Sequence, residues 1–346
     1  MKSLQQFLSQ TKTRLYRKPK DELQRMARWG PRAYFRCDAW AREMEQAALV
    51  LPLIDSLDSQ GSDSIHSTPI SVWFLTGKRF WYQTAFCAWT LAKYSQRKLV
   101  LNLVDDGTLE RAHIDGLRRL FPEGVTINKE SVQDNLDTLL PLNRFPVLRQ
   151  RWSDYINIRK LTDVHLGSTG VKLVLDSDML FFRRPDTLLN WWDGCQRWET
   201  GDQRSDIETS DFLPPASSFS PLLMTDCVES YGYSRKLMEE LSGAPIPPLL
   251  NVGMCGLRSE ELDWKLLEHW CQELARREGT SYYLEQALVA MLAAKAAPNV
   301  MPRADYITFP TKRQTYEGAG VLQHYVSDSK PWYFGNAWRQ ALDLSI

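Results

Sequence analysis

Apolar positions follow two different periods along the chain. Residues 70–75 (ISVWFL), 99–104 (LVLNLV), 125–127 and 171–175 are short apolar runs. The first two are closed by Thr76-Gly77 and Asp105-Asp106-Gly107, as strands buried on both faces would be. Between these runs, 80–94 and 108–121 carry apolar residues at helical spacing. Strand, helix, strand, helix at this interval predicts βαβ units with parallel strands, hence an α/β fold. Residues 154–164, 259–278 and 281–296 read as further helices, 201–221 and 243–250 as loops, and 298–320 as mixed short elements.

Residues 1–50 are helical in pattern. Leu4, Phe7 and Leu8 share a face, Asp21 caps a second stretch, and a third follows the Gly30-Pro31 break. Residues 55–69 have the Ser/Asp/Gly composition of a linker. The expected organisation is therefore a helical extension and linker over 1–66 and one larger domain over 67–346.

Composition narrows the class. Of 346 residues, 43% are hydrophobic and 24% charged, which is globular, and the formal net charge of zero argues against a nucleic-acid binder. That zero is a cancellation. Residues 1–47 hold eleven Lys/Arg against five Asp/Glu, a net of +6, so the remainder carries −6. No run approaches the roughly 20 apolar residues of a membrane span, and the N-terminus lacks a signal-peptide core, so a cytoplasmic protein is expected. The basic arm suits contact with an anionic membrane surface, with its own acidic domain or with a second copy of the chain. The six Cys lack metal-site or zinc-finger spacing and read as buried free thiols.

The most informative segment is VKLVLDSDMLFFRRP, residues 171–185. Asp176 and Asp178 stand just beyond an apolar strand, where ligands bind in open α/β sheets. Two carboxylates one residue apart there can hold Mg²⁺ or Mn²⁺, with Ser177 between them pointing the other way. Haloacid-dehalogenase-type phosphatases also use Asp-x-Asp after a strand, but in the first strand and with Thr or Val where this chain has Leu180.

Three further segments accompany this one. Arg159 precedes Asp176 by 17 positions; Asn251-Val252-Gly253 is followed by Glu285-Gln286; and His324-Tyr325-Val326-Ser327-Asp328-Ser329-Lys330-Pro331-Trp332 lies near the end. In this order they resemble the GT-A-fold glycosyltransferases of the retaining family 8, which include glycogenin and bacterial lipopolysaccharide galactosyl- and glucosyltransferases. The resemblance covers about residues 70–334. It implies a Rossmann-like mixed sheet flanked by helices, with 67–178 as the nucleotide-sugar half and 179–346 as the acceptor half. It implies transfer of a hexose from a UDP-sugar to a carbohydrate, lipid-linked or protein acceptor, with retention of configuration. It implies Mn²⁺ or Mg²⁺ held by Asp176, Asp178 and His324, donor contacts from Arg159, Asp176, Ser177, Asn251, Gly253 and Lys330, and catalytic roles for Gln286, Glu285 and Arg159. Thr76, Gly77, Asp105 and Asp106 end two strands at the ligand face and are the expected base and ribose contacts.

The chain departs from the family pattern at Ser327, where Gly is usual, and at Glu285, where Asp is usual. These departures motivate the alternative of a catalytically silent sugar-nucleotide or glycan-binding protein. Trp191, Trp192 and Trp332 are the expected acceptor-stacking or lid residues, while Trp73, Trp81 and Trp89 follow core periodicity. His66, His113, His165 and His269 have no comparable context.

Overall fold

A computed structural model of the chain describes residues 18–54, 68–200 and 219–342. The predicted helix around Leu4, the 66/67 boundary with His66, and the 201–218 part of the predicted loop lie outside the described residues.

The first helices are α1 (Lys18–Trp29) and α2 (Pro31–Leu49). Gly30 separates them at φ +80°, a region that favours glycine, and Pro31 opens α2 where a missing N–H costs nothing. There follow β1 (Ile70–Thr76), α3 (Trp81–Ser95), β2 (Leu99–Asp105), α4 (Arg111–Leu120), β3 (Val125–Ile127), α5 (Lys129–Leu139), α6 (Pro146–Asp154) and α7 (Arg159–His165). The middle of the chain forms β4 (Val171–Leu175), β5 (Met179–Phe181), α8 (Asp186–Thr200), β6 (Leu222–Thr225), α9 (Arg235–Ser242) and β7 (Leu250–Arg258). The remainder gives α10 (Trp264–Glu278), α11 (Leu284–Ala296), β8 (Asn299–Val300), β9 (Tyr306–Thr308), α12 (Lys312–Tyr316) and β10 (Leu322–His324), then short helical turns to Ala341.

Seven strands form one mixed sheet in the order β3-β2-β1-β4-β7-β6-β8. β1 pairs in parallel with β2 on one side and with β4 on the other. Strand order therefore reverses at β1 and β4, and the crevice beyond their carboxyl ends is the place where such sheets bind ligands. β7 then runs antiparallel to β4, and β6 antiparallel to β7. A separate three-stranded sheet, β5-β10-β9, carries the chain out of Asp-x-Asp.

The βαβ reading of the first half stands, with strand ends within one residue of expectation. Other parts differ. The predicted 154–164 helix is divided, because α6 stops at Asp154 and a 3₁₀ turn (Ile156–Ile158) precedes α7. A nine-residue central strand, β7, follows directly on the expected 243–250 loop and takes its last residue, Leu250. Trp191 and Trp192 are 2% exposed and belong to the core, so they cannot stack on an acceptor. A Cβ at Gly256 would lie 2.3 Å from the Trp191 ring, so that indole occupies the space a side chain would need. All six Cys are free and five are buried; Cys227 is exposed.

Two apolar layers cover the sheet. One contains α3, of which only Lys93 and Tyr94 are not buried, together with Trp191, Tyr325 and Tyr333. Met44 and Ala48 of α2 join this layer, so the described part of the N-terminal extension shares the core of the sheet. The other is built from α10 and α11 around Trp270. Each such large side chain contributes about 1.5–3 kcal/mol on burial. A buried ion pair, Arg97 Nη2 to Asp193 Oδ1 at 2.9 Å, ties the start of β2 to α8.

Candidate active site

The site is assembled by backbone pairing. The Asp176 N–H donates to the Gly253 carbonyl of β7 at 2.7 Å, and the Tyr325 N–H donates to the Asp178 carbonyl at 2.8 Å. β10 runs antiparallel to β5, placing His324 opposite Met179. Two short strands thus bring His324 beside carboxylates that precede it by about 150 positions.

Each carboxylate divides its oxygens between a lysine and the histidine. Asp176 Oδ1 lies 2.6 Å from Lys160 Nζ, and its Oδ2 lies 3.6 Å from His324 Nε2. Asp178 Oδ2 lies 2.5 Å from Lys330 Nζ, and its Oδ1 lies 3.3 Å from His324 Nε2. Asp176, Asp178 and His324 offer ligand atoms that all lie within 4.8 Å of one another. Both ring nitrogens of His324 are buried and make no hydrogen bond. Buried polar atoms are rarely left so, and two carboxylate oxygens with one imidazole nitrogen suit a divalent cation such as Mn²⁺. The donor set therefore fits the metal that the motifs imply.

Gly253 makes this possible. A Cβ there would stand 2.3 Å from His324 Cε1 and 2.6 Å from Nδ1. Only glycine leaves room for the imidazole against β7. Asn251 supports the same stretch of β7, accepting the Gly253 N–H at 2.9 Å and donating to Asp226 Oδ2 at 3.0 Å.

Charge is balanced across the site. Burial by itself pushes the Asp178 carboxyl up, but the Lys330 ammonium and His324 outweigh it and hold the group well below the usual range. Burial pushes the Glu285 carboxyl up to about 7, with Lys160 at 3.5 Å opposing and Asp176 reinforcing the rise. Burial also disfavours the charged form of Lys160, but Asp176 and Glu285 outweigh it and keep the ammonium protonated. Gln286 donates from Nε2 to the carbonyl and hydroxyl of Ser230 at 3.0 and 3.1 Å, which leaves its amide oxygen for a ligand.

A cavity of about 880 Å³ gathers most of the residues that the sequence singled out. Thr76, Asp106, Asp176, Ser177, Asp178, Asn251, Gly253, Glu285, Gln286, His324 and Lys330 all line it. Three do not. Arg159 turns aside, its guanidinium 4.4 Å over the Trp152 ring and 3.4 Å from the Asp106 carbonyl. Asp105 is spent on its own turn, accepting the N–H groups of Gly107, Thr108 and Leu109. Gly77 serves as a close seat for the Asp106 carboxylate. Ser177 does face away from its neighbours' chemistry, its hydroxyl 2.8 Å from Thr84 Oγ1.

Sequence reasoning missed Lys160, one position beyond Arg159, and Asp226 behind Asn251. It also missed the exposed rings of Tyr282, Tyr283 and Phe309 at the cavity. Trp332 is half-buried, with Lys312 Nζ 5.5 Å over its ring.

A mixed sheet that reverses order at β1 and β4, with Asp-x-Asp at that point and a returning His, is the GT-A architecture. No protein-family model matches the chain, and no curated protein matches it. Among solved structures, the chain is similar to mouse xyloside xylosyltransferase 1 in its apo form: 15% identity over 74% of this chain and 97% of that one, TM-score 0.47. It is also similar to the galactosyltransferase LgtC in complex with donor and acceptor sugar analogues: 13% identity over 80% of this chain and 97% of that one, TM-score 0.47. A third is the mannosyltransferase Ktr4p from S. cerevisiae: 10% identity over 77% and 78% of the two chains, TM-score 0.43.

Proposed function

We propose that this protein is a metal-dependent glycosyltransferase that moves a hexose from a UDP-sugar to an acceptor with retention of configuration. The observation that carries the reading is the group of Asp176, Asp178 and His324, whose ligand atoms converge beside a cavity large enough for a nucleotide sugar. Bound there, Mn²⁺ or Mg²⁺ would supply Lewis-acid neutralisation of the leaving diphosphate. Lys330 and Lys160 add point charges on either side of the carboxylates, so charge developing on the diphosphate meets fixed cations. Thr76, at the end of β1, and Asp106, beyond the end of β2, line the cavity and would contact the nucleoside. The neutral amide oxygen of Gln286 is suited to an oxocarbenium-like sugar, since an amide is a poor nucleophile and a good dipole.

With Trp191 and Trp192 buried, other rings at the cavity would serve the acceptor. Tyr282, Tyr283 and Phe309, 66%, 42% and 38% exposed, present aromatic faces of the kind sugar rings stack on. No helix among the described residues is long and apolar enough to cross a membrane. The helices α1 and α2 leave Leu23, Arg32 and Phe35 exposed, apolar and basic side chains of the kind that meet an anionic lipid surface. Liposome flotation of the full chain against a Leu23→Ser, Phe35→Ser variant tests that contact, and equal flotation of the two would overturn it.

The central test is isothermal titration of UDP with Mn²⁺ present, followed by UDP release from UDP-glucose, UDP-galactose and their N-acetyl forms. Binding and release that require Mn²⁺ and vanish in Asp178→Ala are expected. An unaltered protein that binds no UDP would overturn the reading.

A further inference from the structure

The loop between His324 and Lys330 is held from outside by the N-terminal helices. Arg28 Nε, at the end of α1, lies 3.1 and 3.0 Å from the two oxygens of Asp328. Trp29 Nε1 donates to Oδ1 of the same carboxylate at 3.1 Å. Trp29 is itself fixed: the Arg25 guanidinium lies 5.5 Å over its ring, and Tyr34, whose hydroxyl donates to Glu22 at 2.7 Å, stands 6.5 Å from that ring. Further along, α2 packs against the helical turns that follow this loop, Lys330–Ala341. Its Trp40 ring would lie 3.2 Å from a Cβ at Gly335, and its Glu43 pairs with Arg339 at 2.5 Å.

Asp328 has a strained neighbour. Ser327 adopts φ +46°, in the left-handed region that side chains disfavour and glycine enters freely. A strained residue persists only where its surroundings over-determine it. The hydrogen bonds within the loop, Ser329 N–H and Oγ to the Val326 carbonyl, close a short turn but tie it to nothing else. Lys330 and the Tyr325 N–H tie the two ends of the loop to Asp178, and the carboxylate of Asp328 ties its middle to α1.

We propose that the α1–α2 hairpin is a clasp that positions the His324–Lys330 loop for the donor diphosphate, with Asp328, Arg28 and Trp29 as positioning residues. The proposal rests on the nucleotide-sugar reading of the site. It assigns the extension a task at the active site, and it explains how a serine is held where the loop bends as glycine would.

The test uses the full chain. Asp328→Ala and Arg28→Ala remove the tether from opposite sides, and the pair is half-exposed, so both variants are expected to fold. Hydrogen exchange of the apo protein should show amides 326–330 exchanging at least about threefold faster in either variant. The dissociation constant for UDP with Mn²⁺ should rise about three- to fivefold. Adding Ser327→Gly to Asp328→Ala should restore most of that affinity, because glycine enters the bend without the strain that the tether offsets at serine. A purely structural tether would not be rescued in this way. Unchanged exchange in both variants overturns the clasp, as does faster exchange with unchanged UDP affinity. Failure of the underlying reading is seen separately, as absence of UDP binding to the unaltered protein, and takes the proposal with it.

Discussion

Replacing Gly253 by alanine tests how the metal group is built. Gly253 does not sit in the left-handed region, so its backbone accepts a side chain, and the whole effect is steric. The added Cβ would lie 2.3 Å from His324 Cε1, against a comfortable carbon–carbon separation of about 3.5 Å. The imidazole must therefore move by roughly 1 Å, whereas metal–ligand distances tolerate about 0.2 Å. Mn²⁺ affinity should fall about 10- to 100-fold, with a stability loss of about 1–3 kcal/mol from overpacking. Gly256→Ala is the matched control. Its Cβ would lie 2.3 Å from the Trp191 ring, on the same strand but away from His324. It should cost comparable stability and leave Mn²⁺ affinity unchanged. Isothermal titration with Mn²⁺ and urea unfolding of both variants give the comparison. A folded Gly253→Ala protein that binds Mn²⁺ as tightly as the unaltered one would refute the placement of His324 against β7.

Other expectations follow from single contacts. Lys160→Ala should weaken UDP binding about tenfold or more, because it leaves Asp176 and Glu285 without their shared cation, while Arg159→Ala should change it far less; titration of both variants decides between them. Asp193→Ala leaves the buried Arg97 guanidinium with the Thr68 carbonyl but no carboxylate and should cost about 3 kcal/mol, read as a drop in urea midpoint at unchanged slope. Burial pushes the Asp163 carboxyl up to about 6, despite hydrogen bonds from Thr162 and Trp152. The folded state therefore holds a proton that the unfolded chain releases at lower pH. That contribution to stability is present below about pH 4 and is lost as pH rises to about 6. Asp163→Asn should flatten the stability profile in that window, as measured by urea unfolding at several pH values.

The βαβ half was legible because its strands are unbroken apolar runs, a pattern that burial on both faces demands. β7 was not, although it is the longest strand. Its Asn251, Gly253 and Gly256 lower strand propensity, yet each is required by what lies against it: Asp226, the His324 ring and the Trp191 ring. β5, β9 and β10 are three residues each, too short to show a period. The Asp-x-Asp turn could be placed from the strand that precedes it. Arg159 and Lys160 could not be told apart by counting back from Asp176. One helical position is a rotation of about 100°, and the phase is set by the 3₁₀ turn before α7 and by Trp152, which takes the arginine. The buried tryptophans at 191 and 192 were misread for the same reason: sequence shows an aromatic pair, and only packing shows which side of the sheet receives it.

The pairing of β5 with β10 also sets an order in time. A chain is made from its N-terminus at about 5–20 residues per second, so His324 follows Asp178 by on the order of ten seconds or more. Throughout that interval the first half can form its parallel strands, but the two carboxylates have no imidazole to complete them. On the proposed reading, metal and donor binding wait for β10, the last strand among the described residues, and a nascent or truncated chain ending before residue 324 is expected to bind neither, however well its sheet has folded.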